Sequence, residues 1–267
     1  MTTVNPTVRL ADYGDKYEHI KLERRDGILQ MTFHSGGDSF RMSGLGHAEI
    51  ADAFYHVGAD HENKVVIMTG TGDAFSANWE RGSFDKSTAD AHARIHYEGR
   101  RILHNLLDVE SIVISAINGP SIVHPFPVCA DIVLCSDNAA FQDNHVAKGG
   151  VVAGDGANII WQHLLGPTRG KYFLLTGQLL SAQEALALGV VNEVLPRDKL
   201  LARAWQLAEQ LAQKPQTTLR YSRLVLNQHY RRLMLDDLSF SYGMQKLGQA
   251  TAAPKSSDPN WGTGAKS

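Results

Sequence analysis

An α/β fold with a strand-rich N-terminal part and a helical C-terminal part is predicted by three features of the 267-residue sequence. Short apolar runs alternate with segments whose apolar residues recur at helical spacing. The runs are too apolar to be exposed strands. Beyond residue 155 the helical spacing dominates.

Residues 16–25 and 27–33 read as two strands joined at Asp26-Gly27, a hairpin signal. Residues 46–57 carry a helical apolar pattern, and KVVIMT at 64–69 is a buried strand. A helix follows at 90–107, where Ile95, Ile102, Leu103 and Leu106 make one stripe. IVISAI at 112–117 and DIVLCS at 131–136 suit buried parallel strands, and AAFQ at 139–142 is a shorter one. Helices are expected at 156–165, 168–175, 181–188, 198–213 and 216–249, with a strand at 190–195. The expected organisation is a core over 1–195, a helical region over 196–250 and a small, polar tail over 251–267.

Composition narrows the function classes. The net charge is −2 with 20% charged residues, so no electrostatic case exists for nucleic acid or an anionic membrane surface. No apolar run approaches the roughly 20 residues of a membrane span. The start MTTVNPTVRL lacks the layout of a signal peptide, which makes the cytoplasm the expected location. A chain of this length buries roughly three-quarters of its unfolded surface without disulfide staples. Cys129 and Cys135 have neither redox nor zinc-knuckle spacing and are expected to be buried free thiols.

One stretch stands out: Ile117-Asn-Gly-Pro-Ser-Ile-Val-His-Pro-Phe-Pro-Val128. Pro120, Pro125 and Pro127 fix φ, remove backbone donors and keep the segment out of a central ladder. They hold His124 in a stiff frame.

The order of elements over residues 18–250 resembles the crotonase (enoyl-CoA hydratase/isomerase) family. The resemblance is carried by VVIMTGTGDAFSAN at 65–78, ISAINGP at 114–120, CADIVLCSDNAAFQ at 129–142, VVAGDGANIIWQHLLG at 151–166 and KYFLLTGQLLSAQEALALGVVNEVLP at 171–196. It implies a spiral of ββα turns and a homotrimer or dimer of trimers built on the helical C-terminal region. It also implies an oxyanion hole formed by backbone N–H groups, one from the segment Asn78-Trp79-Glu80. At the second oxyanion position the usual glycines are replaced by Val123-His124-Pro125.

The family's hydratase carboxylates are missing too. No acid occurs from Asn118 to Ala130, and the second position, counted from Phe141, falls on His145. Asp155, in AGDGAN, stands where a small residue is usual. His124, His145 and Asp155 together resemble the set in crotonase-fold β-diketone hydrolases of the 6-oxocamphor hydrolase type. NKVVIMTGTG, FQD, GDGA, KYFLLTG and VVNEVL support that likeness.

The resemblance implies cleavage of a carbon–carbon bond in a cyclic β-diketone by a retro-Claisen reaction, giving a keto acid without cofactor or metal. Water adds to one carbonyl, and the oxyanion collapses by expelling an enolate. His145 titrates near neutrality and is the expected base, with Asp155 orienting its other ring nitrogen. His124 is the expected oxyanion donor. Trp79 and Phe84 are candidate walls for a carbocycle.

Each residue also has a plainer reading: Asp155 as a helix cap, His145 as a solvated side chain, His124 as a partner of local carbonyls, and Trp79 and Phe84 as core. The remaining histidines are assigned no chemistry. Rival functions are an acyl-CoA thioester hydrolase of the same fold, a metal-dependent hydrolase using the two histidines and the aspartate, and a scaffold that lost catalysis.

Overall fold

The computed structural model describes residues 7–251. The elements in chain order are α1 (Leu10–Tyr13), β1 (Ile20–Arg25), β2 (Ile28–Phe33), β3 (Phe40–Met42), α2 (Gly44–Ala59), β4 (Val65–Gly70), β5 (Ser76–Trp79), α3 (Ala89–Asp108) and β6 (Ile112–Ile117). After a 3-10 turn at Phe126–Cys129 come β7 (Ile132–Ser136), β8 (Ala140–Phe141), α4 (Ala157–Leu165), α5 (Pro167–Thr176), β9 (Leu180–Ser181), α6 (Ala182–Ala187), β10 (Glu193–Leu195), α7 (Arg197–Ala212) and α8 (Gln216–Thr251).

Two layers of strands organise the chain. The main sheet has the order β1-β2-β4-β6-β7-β10. β1 pairs antiparallel with β2, and the other pairings are parallel. The second layer is narrow: β3 pairs with β5, β8 with β9, and Ser121 bridges Ser76 on one side and Phe141 on the other. β2, β4, β6 and β7 of the main sheet are each followed by a short strand or bridge in the second layer. A helix then returns the chain after β3, β5 and β8. This is the ββα spiral that the resemblance implies.

Side-chain alternation places the core on both faces of the main sheet. In β4, Val66 and Met68 join the cluster under α2 and α3, whereas Val65 and Ile67 face Leu200, Ala204 and Ala208 of α7. Burial on both faces explains why these strands read as continuous apolar runs. It also shows that α7 packs on the sheet of the strand-rich part. Both cysteines are free and buried. No helix among the described residues is long and apolar enough to cross a membrane.

Several elements differ from expectation. The strand expected from residue 16 begins at Ile20, because the N–H groups of Glu18 and His19 donate to the Glu49 carboxylate (2.8 and 2.9 Å) and not to a ladder. The strand expected at 190–195 shrinks to Glu193–Leu195, since Val190 N–H closes a turn on Ala185. β3, β5, β9 and α1 are unanticipated; two to four residues carry too little periodicity to be seen. Of the tail expected over 251–267, Thr251 is the last residue of α8 and the rest lies outside the described residues.

α8 is tied to the core by Arg223. Its guanidinium, with a fully buried side chain, donates to Asp131 Oδ2 at 2.6 Å and to the carbonyls of Leu106, Leu107 and Val109. These carbonyls end α3 and have lost their helical donors. Asp131 also accepts from Val113 N–H and Asn227. The outer side of α8 exposes Val225, Leu226, Leu235, Phe240 and Leu247, in the region expected to self-associate. Arg223→Leu removes the donor but leaves a carboxylate and three carbonyls inside. It is expected to destabilise the fold by about 3–5 kcal/mol in denaturant titration. A loss below about 1 kcal/mol would mean that water replaces the guanidinium.

Candidate active site

The narrow layer of strands brings the candidate residues together. Trp79 ends β5. The segment through Ser121 runs parallel to β5, with Ile122 N–H donating to Ser76 O at 2.9 Å, and three residues past Ser121 the chain reaches His124. Asp143 and His145 follow β8 directly. Asp155 lies just before α4, in a Gly-Asp-Gly turn that glycine makes possible. A β-carbon at Gly154 would meet the carbonyl of Ser241 on α8 at 2.1 Å, and Gly156 has φ +97°.

His124 is buried, 4% exposed, and its ring is fixed by the main chain. The Phe126 N–H donates to its Nδ1 at 3.1 Å. A neutral ring accepting at Nδ1 carries its proton on Nε2. Nε2 is buried and has no partner among the described residues. Burial pushes the imidazole down to about 4, against the opposing pull of the Asp155 carboxylate, so the ring is neutral at physiological pH. The plain reading, partnership with local carbonyls, is replaced by a bond from a local N–H.

His145 is the surprise of the site. It is nearly buried, not a solvated loop residue, and both ring nitrogens meet carboxylates. Nδ1 lies 3.0 and 3.2 Å from the two oxygens of Asp143, and Nε2 lies 3.1 Å from Asp155 Oδ2. Burial alone would lower its pKa; the Asp155 charge, followed by the bonds to Asp143 and Asp155, holds it well above the usual histidine range. Burial alone would raise Asp155, but the His145 charge and hydrogen bond hold it well below the usual carboxylate range. The resting pair is an imidazolium and a carboxylate. The expectation of a free ring nitrogen facing water is therefore corrected: neither nitrogen is free, because a second carboxylate, Asp143, lies within reach.

The sequence alone gives Asp143 no role beyond its place in the FQD stretch. The available signal was an aspartate two residues before the histidine in a turn, where its carboxylate accepts from His145 N–H at 3.0 Å. Asp155 caps α4 only weakly, accepting from Ala157 N–H at 3.4 Å; its other oxygen serves His145. His47 is also close by. Its Nδ1 lies 3.2 Å from Glu98, and a β-carbon at Gly99 would touch both its Nε2 and the Tyr242 hydroxyl.

The aromatic pair separates. Phe84 is half-buried against His47 and lines a cleft of about 380 Å³ with Gly44, Ala48, Ile95 and Glu98. Trp79 packs on Phe84 with ring centroids 5.7 Å apart, but is 41% exposed and does not line that cleft. Among the described residues, no group of three or more His, Cys, Asp and Glu side chains is placed to hold a metal ion.

This chain belongs to the enoyl-CoA hydratase/isomerase family, the crotonase superfamily of enzymes: the family's sequence profile matches residues 23–257. Among solved structures, a β-diketone hydrolase from the cyanobacterium Anabaena sp. PCC 7120, bound to (S)-3-oxocyclohexyl acetic acid, is 41% identical with a TM-score of 0.86, covering 89% of this chain and 96% of that one. An enoyl-CoA hydratase/isomerase from Mycobacterium paratuberculosis is 27% identical with a TM-score of 0.83 over the same shares. Among curated proteins, a carnitinyl-CoA dehydratase of Salmonella typhimurium is 34% identical over 73% of this chain and 74% of its own length. A 4-chlorobenzoyl coenzyme A dehalogenase of Arthrobacter sp. is 28% identical over 74% and 73%.

The charge states predict a pH signature. A histidine titrating near 6.5 unfolded and near 4 folded binds its proton first in the unfolded chain, so stability falls as pH drops from about 6.5 to about 4. His145, raised in the fold, acts in the opposite sense: its contribution is full below about 6.5 and is lost as pH rises through its folded value. His124→Gln is therefore expected to flatten the loss of melting temperature between about pH 6.5 and pH 4. Parallel profiles for variant and wild type would show that His124 enters the fold already charged.

Proposed function

We propose that the protein hydrolyses the carbon–carbon bond between the carbonyls of a cyclic β-diketone, giving a keto acid by a retro-Claisen reaction. The observation that carries this reading is the pairing of a neutral, buried imidazole, whose Nε2–H lacks a partner among the described residues, with a carboxylate-held imidazolium in the same site. The first is suited to an oxyanion and the second to proton exchange. The likeness to a β-diketone hydrolase supports it. The acid bound to that relative has the skeleton left when water opens a bicyclic 1,3-diketone, because joining its carboxyl carbon to a ring carbon beside the ketone restores such a ring.

The steps follow from the chemistry of the diketone. Water's O–H bond breaks as its oxygen bonds to one carbonyl carbon, and the proton passes to the His145–Asp155 pair. Negative charge gathers on the former carbonyl oxygen, where His124 Nε2–H donates. The tetrahedral centre collapses, and the C–C electron pair leaves as an enolate stabilised by the second carbonyl. The pair returns a proton to the enolate carbon. Water, diketone and enzyme are balanced by keto acid and enzyme, with no oxidant or reductant.

A CoA-thioester reading is favoured by the names of the curated relatives and opposed by the Val123-His124-Pro125 replacement of the second oxyanion turn. One assay separates the readings. Bicyclic and monocyclic 1,3-diketones are offered beside acyl- and enoyl-CoA thioesters, with loss of the enol absorbance and release of CoA as readouts. Diketone turnover that persists in EDTA is expected. Turnover of thioesters alone, or activity abolished by EDTA and restored by zinc or iron, would overturn the proposal.

His124→Ala is expected to lower kcat roughly 10²–10³-fold, as removal of one oxyanion donor does, with a smaller change in KM. The melting temperature near neutral pH should change little, because Pro120, Pro125 and Pro127 stiffen the loop. An unchanged kcat would remove His124 from the mechanism.

A further inference from the structure

We propose that Asp143 is a positioning residue that reserves Nδ1 of His145, leaving Nε2, the nitrogen facing Asp155, to exchange protons with the reaction. This inference rests on the diketone reading for its kinetic consequences but not for its geometry.

The two carboxylates beside His145 are unequal. Asp143 belongs to the same turn as the histidine, and its Oδ1 is anchored by the histidine's own N–H at 3.0 Å. Both of its oxygens reach Nδ1, and its side chain is 5% exposed. It follows β8, whose pairing with β9 and the Gln142-to-Gly177 bond hold the strand end in place. Asp143 is thus bound both to the ring and to the main chain of the same histidine.

Asp155 comes from a different segment. Among the described residues, the main-chain bond to its carboxylate is the long 3.4 Å contact from Ala157 N–H. It faces His145 together with His124, Tyr242 and Lys246, whose charges and hydroxyl respond to it. Of the two ion pairs, the one at Nε2 can therefore open while the one at Nδ1 persists. Opening it exposes the nitrogen on the side of the site where His124 Nε2 is available to an oxyanion.

This reverses the roles that a simple dyad would assign. Asp143 takes the orienting part, selecting the tautomer as a buried carboxylate does behind a catalytic histidine. Asp155 becomes the counter-charge on the reacting side, and takes or yields the Nε2 proton as the pair opens and closes.

Asp143→Asn is the test, since an amide oxygen still accepts from His145 N–H and preserves the turn. In the free enzyme, the ring nitrogen and carbon resonances of His145 are followed by NMR against pH, for wild type, Asp143→Asn and Asp143→Glu. The midpoint of His145 is expected to fall in Asp143→Asn, because one of two anions beside the imidazolium is gone, and to recover in Asp143→Glu. On a diketone, kcat of Asp143→Asn is expected to fall roughly 10²–10⁴-fold with KM little changed. The acid limb of its pH–rate profile should move to lower pH, tracking the NMR midpoint. An unmoved midpoint, or a kcat loss that follows melting temperature with no shift of the limb, would overturn the proposal. If no diketone is turned over by wild type, the diketone reading fails, and the NMR titration still decides the role of Asp143.

Discussion

A buried imidazolium needs an anion wherever water is excluded, and His145 draws one from each of two chain segments. An unpaired charge in such a place would neutralise or pull the site open. Asp143 rides in the turn after β8, and Asp155 is delivered by the Gly-Asp-Gly turn before α4. Removing one member of such a buried set costs about 3–5 kcal/mol, comparable to a large core deletion. The ion pairs are therefore part of how the second layer of strands meets the helical half. The close contact between Gly154 and the Ser241 carbonyl extends the same constraint to α8.

The spiral explains why residues far apart in sequence arrive at one place. In each turn the chain crosses the main sheet, adds a short strand or a single bridge to the narrow layer, and then leaves it. The candidate side chains sit where it leaves: Trp79 at the end of β5, His124 past the Ser121 bridge, Asp143 and His145 past β8. The sheet supplies rigidity and the exits supply chemistry, so site residues can change without cost to the ladder.

The long elements were legible from the chain. β4, β6 and β7 announce themselves because both faces are buried, and α3 because only one is. The narrow layer was not legible, since β3, β5 and β9 are held by pairing and not by pattern. At the site, His124 and Asp155 stand out where the resembled pattern has small residues, and His145 where it has an acid, and the fold does gather the three. Asp143 was missed because an aspartate beside a turn is common, and its value depends on which way the histidine ring swings. The protonation of His145 was equally invisible. It follows from two distances, and no spacing in the sequence encodes them.

His124 receives its tautomer from the peptide group of Phe126. A side chain that orients a catalytic ring can be lost to one base change, and its function with it. A main-chain N–H is shared by nineteen of the twenty residue types and is lost only to proline. The walls around His124 can thus drift, enlarge or change polarity over many generations while the donor stays set. A site built this way separates the residues that shape its walls from the peptide group that sets the ring, and leaves the first free to be reshaped.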